Sequence, residues 1–79
     1  MPEERNLGEQ PLARLMAERA LKPHDLVAAS TEQLTHKMVN RAAKGRRLTA
    51  NTMEKVVRAF NAATSGELTA ADLFDYQPL

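Results

Sequence analysis

The sequence has no cysteine, so neither a disulfide framework nor a thiolate metal site is available, and a reducing compartment is the natural setting. No apolar run approaches the roughly 20 residues needed to cross a bilayer. The opening Met1-Pro2-Glu3-Glu4-Arg5 lacks the basic-then-apolar order of a signal peptide. A soluble, cytoplasmic protein with no membrane partner is therefore expected. Aromatic side chains are limited to Phe60, Phe74 and Tyr76, too few for the base-stacking platforms that single-strand and RNA binders use. Catalytic apparatus is equally sparse. There is no Gly-rich phosphate loop and no cysteine nucleophile, His24 and His36 are not at ligand spacing, and the carboxylates are scattered over expected solvent faces. A chain of 79 residues can bury only about 60 to 65% of its unfolded surface, which makes a rigid-walled cleft hard to build. No enzyme activity, cofactor, metal site or small-molecule substrate is expected.

What is present is an uneven distribution of charge. The chain is nearly neutral, with 11 Lys and Arg against 10 Asp and Glu. Between Gln33 and Met53, however, stand five bases (Lys37, Arg41, Lys44, Arg46, Arg47) and no acid, while the other 58 residues carry six bases and ten acids. A near-neutral molecule with one cationic segment has a directed field, and the phosphate backbone of a duplex is the commonest target of such a field. The plain alternative is a solvated basic face.

Hydrophobic spacing divides the chain into about five short helices, an all-α bundle with no strand pattern and no repeat. Residues 1–9, with Pro2, three glutamates, Gly8 and only Leu7 as a large apolar residue, are expected to be a flexible tail, leaving 10–79 as the one domain. Pro11 suits a first helical position, and Leu12, Leu15, Met16 and Arg19 at helical spacing predict a helix over 11–20. Pro23 opens a second, short helix with Asp25 in its first turn and Leu26 and Val27 on its apolar face. Ser30-Thr31-Glu32-Gln33 reads as a turn. A third helix follows, capped by Thr35, carrying an apolar stripe of Leu34, Val39 and Ala42 and stopped by Gly45. Thr49 caps the fourth helix, which runs to about Ala63 with Met53, Val56, Val57, Phe60 and Ala63 inward, and Gly66 is the expected left-handed cap. A last helix starts at Thr69 with Asp72 three residues on, presents Leu68, Leu73, Phe74 and Tyr76 to the bundle, and ends by Pro78.

A short helix, a turn and a basic helix is the order of a helix-turn-helix. In this order, in the Leu26-Val27 pair, in the apolar positions Leu34, Val39 and Ala42, and in the loop Lys44-Gly45-Arg46-Arg47 leading through Leu48-Thr49 to the next helix, residues 12–60 resemble the phage-repressor-like (XRE-type) helix-turn-helix family. The turn before the third helix is about two residues longer than usual there and lacks glycine, and a position often acidic in the family is Ala43. The resemblance implies a lambda-repressor-like fold and a small bacterial or phage transcription regulator that binds duplex DNA through residues 35–47. It also places base readers at His36, Lys37, Met38 and Arg41 and backbone contacts at Lys44, Arg46 and Arg47.

Helical spacing itself puts His36, Lys37, Asn40, Arg41 and Lys44 on or beside the face opposite Leu34, Val39 and Ala42, with Thr35 at its start. Asn40 can donate to and accept from an adenine edge, and Lys37 and Arg41 can donate to guanine O6 and N7. Met38 is more often core filler than a thymine-methyl contact. One domain of this size buries limited surface on DNA, so a homodimer on two-fold related half-sites is considered. The apolar segment around Phe74 and Tyr76 is a candidate dimer face, although docking on its own bundle is the first expectation. The alternative function is a protein interaction module, adaptor or antitoxin-like, that uses the same basic face.

Overall fold

The computed structural model describes residues 8–76, which form five helices and no strand. The tail expected over residues 1–9 lies outside the described residues as far as residue 7, as does Pro78. Helix α1 is Pro11–Glu18, α2 is Pro23–Ala29, α3 is His36–Lys44, α4 is Ala50–Thr64 and α5 is Ala70–Leu73.

The helix starts follow their local chemistry. Thr35 Oγ1 accepts from Met38 N at 3.1 Å and Thr49 Oγ1 from Thr52 N at 3.3 Å, so both threonines cap as expected. At α2, Asp25 Oδ2 accepts from Lys22 N at 2.7 Å, and at α5 Asp72 Oδ2 accepts from Thr69 N at 2.8 Å. In each, a third-position carboxylate reaches back to a donor that the helix itself leaves unpaired.

The helix ends were less legible. Helix α1 stops two residues before the expected Ala20, through a Schellman hook in which Leu21 N donates to Met16 O at 2.8 Å and Ala20 N to Ala17 O at 3.2 Å. Ala20 takes the left-handed conformation this requires, at φ 56°. Helix α3 ends in the same way at Gly45, φ 94°, with Arg46 N donating to Arg41 O at 2.9 Å. At the end of α4 the left-handed residue is Ser65, φ 59°, and not the expected Gly66. The segment after Ser65 is held by Asn61, whose Nδ2 donates to Leu68 O at 2.9 Å and whose Oδ1 accepts from Leu68 N at 3.0 Å.

Helix α4 is the spine. It buries Met53, Val56, Val57, Ala59 and Phe60 and packs most broadly against α2, with α3 and α5 alongside. Its fully enclosed Phe60 contributes about 1.5 to 3 kcal/mol by burial, and the Arg19 guanidinium lies 5.8 Å from the ring centroid. Leu12 and Met16 of α1, Leu26 of α2, Val39 and Ala42 of α3, and Leu73 with Phe74 close the core from the other sides. Phe74 and Tyr76, edge to face at 5.7 Å, dock on the bundle, with Phe74 buried and Tyr76 half-buried.

Among the described residues one polar side chain sits inside. Gln10 is 1% exposed, its Nε2 donating to Gly8 O at 2.9 Å and its Oε1 accepting from Asp75 N at 2.8 Å, while its backbone N donates to Ala43 O at 3.0 Å. These bonds tie the approach to α1, the end of α3 and the segment after α5 into one knot. They also occupy the Gln10 side chain, which accordingly does not cap α1.

Candidate nucleic-acid interface

Helix α3 turns Val39 and Ala42 fully inward, with Leu34 buried just before it. Met38 and Ala43 are partly buried against the core, so Met38 serves packing. On the opposite side Lys37, Asn40, Arg41 and Lys44 are all exposed. Their spacing of three and four residues makes them one stripe along the helix axis. Thr35 and His36 are exposed at the N-terminal end of that stripe, and Arg46 and Arg47 are exposed beyond its C-terminal end. The eight residues singled out in the sequence thus lie along one helix and the loop that follows it.

The loop is held from beneath. Gly45 is buried against the Gly8 backbone, and a Cβ there would collide with the Gly8 carbonyl. The Tyr76 hydroxyl donates to the Arg46 carbonyl oxygen at 3.1 Å, and burial raises the Tyr76 phenol above its ordinary value. The C-terminal segment therefore braces the loop backbone while Lys37, Asn40 and Arg41 remain exposed. That arrangement keeps cationic side chains outward on a backbone with restricted freedom.

At the other end of α3, the six residues between α2 and α3 are an ordered bridge. Ser30 Oγ accepts from Glu32 N at 3.0 Å and donates to Glu32 O at 3.2 Å, and Leu34 plugs into the core. The Glu32 carboxylate meets Arg58 of α4 in a two-point contact, Oε2 to Nε at 2.6 Å and Oε1 to Nη2 at 2.7 Å. The hydrogen bonds from Arg58 hold the Glu32 carboxyl below its usual value, and those to Glu32 raise the Arg58 guanidinium. The six-residue connection between α2 and α3 is thereby held by a buried plug and an ion pair.

Sequence reasoning missed three residues around this surface. His24, at the start of α2, has its ring centroid 6.5 Å from that of His36, and its Nε2 is 3.3 Å from Asp25 Oδ1. Arg58 and Gln10 also act at long range, and no local pattern marks either. Among the described residues no group of three or more His, Cys, Asp or Glu is arranged to hold a metal ion, and no helix is long and apolar enough to cross a membrane.

Compared with family models, curated proteins and solved structures, the chain matches none. The functional reading therefore stands on the residues and their geometry.

Proposed function

We propose that this protein is a sequence-specific duplex DNA binder, a small transcription regulator that lays α3 in the major groove and rests the 45–47 loop on phosphates. The observation that carries the reading is the stripe of Lys37, Asn40, Arg41 and Lys44, exposed on a helix whose other face is buried and continuous with the exposed Arg46 and Arg47. An α-helix fits the major groove, where Asn40, Lys37 and Arg41 offer the donor and acceptor sets that read base edges. Each two-point base contact contributes about 1 to 3 kcal/mol of discrimination. The loop cations supply sequence-independent affinity, and a homodimer on paired half-sites would multiply it. A concavity lies apart from this face. It sits between α4 and α5 and is lined by Ala50, Met53, Ala70, Ala71 and Phe74, with Glu54 and Asp75 as its carboxylates and Tyr76 at its edge.

The test is a salt titration of binding to random duplex, followed by selection from a randomised pool. With the three backbone-facing cations Lys44, Arg46 and Arg47 on phosphates, the slope of log affinity against log salt should be about −3 per subunit. On the selected duplex, Asn40→Ala should lose preference more than total affinity, and Arg46→Ala should weaken every sequence alike. Absence of duplex binding at about 50 mM salt would overturn the reading and favour an acidic protein as the partner of this face.

A further inference from the structure

Glu32 is a fixed point between two helices. Its backbone N–H and carbonyl are both bonded to the Ser30 hydroxyl at the end of α2, and its carboxylate is forked onto Arg58 of α4. Only Gln33, the buried Leu34 and the capping Thr35 separate it from the first residue of α3. Helix α4 packs more broadly on α2 than on α3, so the direct support that the spine gives to α3 is the narrower of the two. The fork adds a tether at the N-terminal end of α3, the end from which Lys37 projects, with Asn40 and Arg41 one turn further along the same helix. Its two oxygen-to-nitrogen contacts restrict direction as well as distance, which a single contact does not.

We propose that Glu32 and Arg58 are positioning residues for recognition. Their ion pair sets where the N-terminal half of α3 lies relative to α4, and so which base edges Lys37, Asn40 and Arg41 reach, without touching DNA. This rests on the duplex-binding reading above. Its consequence for recognition is separable from that of the loop cations, because displacing a base-reading helix alters preference while leaving the phosphate contacts of the loop in place.

The experiment compares the full chain with Glu32→Gln, with Arg58→Gln, and with the charge-reversed double variant carrying Glu32→Arg and Arg58→Glu. Two readouts are taken well below the melting transition. The first is the ratio of affinities for the duplex selected by the wild type and for a scrambled duplex of the same composition. The second is amide hydrogen exchange of residues 36–40 without DNA. Each single variant should lose about two- to fivefold in the ratio, with the salt slope unchanged within about one, and should exchange faster at 36–40 by a similar factor. The double variant should recover both. A ratio retained by both single variants on a wild type that discriminates would overturn the proposal. So would exchange that is unmoved, or that quickens equally in every helix, since the pair would then have no local hold on α3. A wild type without duplex preference, whose exchange at 36–40 nevertheless quickens in the single variants and recovers in the double, would sink the DNA reading and leave the tether standing.

Discussion

Ala20 sits at φ 56°, a region that costs an L-residue with a Cβ about 1 to 2 kcal/mol, and it does so because the hook ending α1 needs a left-handed residue there. Gly45 fills the equivalent place after α3 without that cost. Ala20→Gly should therefore stabilise the fold by about 0.5 to 1 kcal/mol, read as a higher urea midpoint at unchanged m-value. The reverse change at Gly45 should do more harm than conformation alone explains. Gly45→Ala meets the Gly8 carbonyl as well as the positive φ, and a loss of more than about 1 kcal/mol is expected in the same titration. Sequence reading located Gly45 because glycine advertises the conformation. It missed Ala20 and assigned the role of Ser65 to Gly66, since side-chain identity marks a left-handed residue only when that residue is glycine or a common substitute.

Between elements, the legible part of the fold is what repeats within a few residues. The α4 stripe of Met53, Val56, Val57 and Phe60, the caps Thr35 and Thr49, and the inward set Leu34, Val39 and Ala42 all follow from helical period and capping chemistry, and all are where that chemistry puts them. The same period gave the outward direction of Lys37, Asn40 and Arg41. The Glu32–Arg58 fork is 26 residues wide, and nothing in either local sequence specifies it. It does leave a signature in acid. Arg58 holds the folded Glu32 carboxyl below the 4.5 of an unperturbed one, so the stabilisation is complete above that value and is lost as pH falls below it, through the lowered folded pKa. Glu32→Gln should consequently lose less stability than the wild type between about pH 5 and pH 3, measured by urea unfolding across that range. Equal losses would mean that the fork contributes nothing in solution.

Across the whole molecule, a radius of gyration of 11.4 Å describes a chain wound tightly enough for its two described ends to meet at the Gln10 knot. Gln10 was read only as the residue after a tail, yet it is the buried polar group on which the end of α3 and the segment after α5 converge. Gln10→Ala removes the acceptor of Asp75 N, and the unpaired donor should cost about 1 to 3 kcal/mol in chemical denaturation. The loop that carries Arg46 and Arg47 should feel that loss, because Gly8 and Tyr76 bear on Gly45 and the Arg46 carbonyl from either side of the knot. The same separation orders events during synthesis. Helix α1 packs against α5 and Gln10 accepts from Asp75 N, so a nascent chain emerged only as far as α4 would carry Lys37, Asn40, Arg41 and Lys44 and still lack both contacts. The knot would then close only after residues 70–75 had been translated.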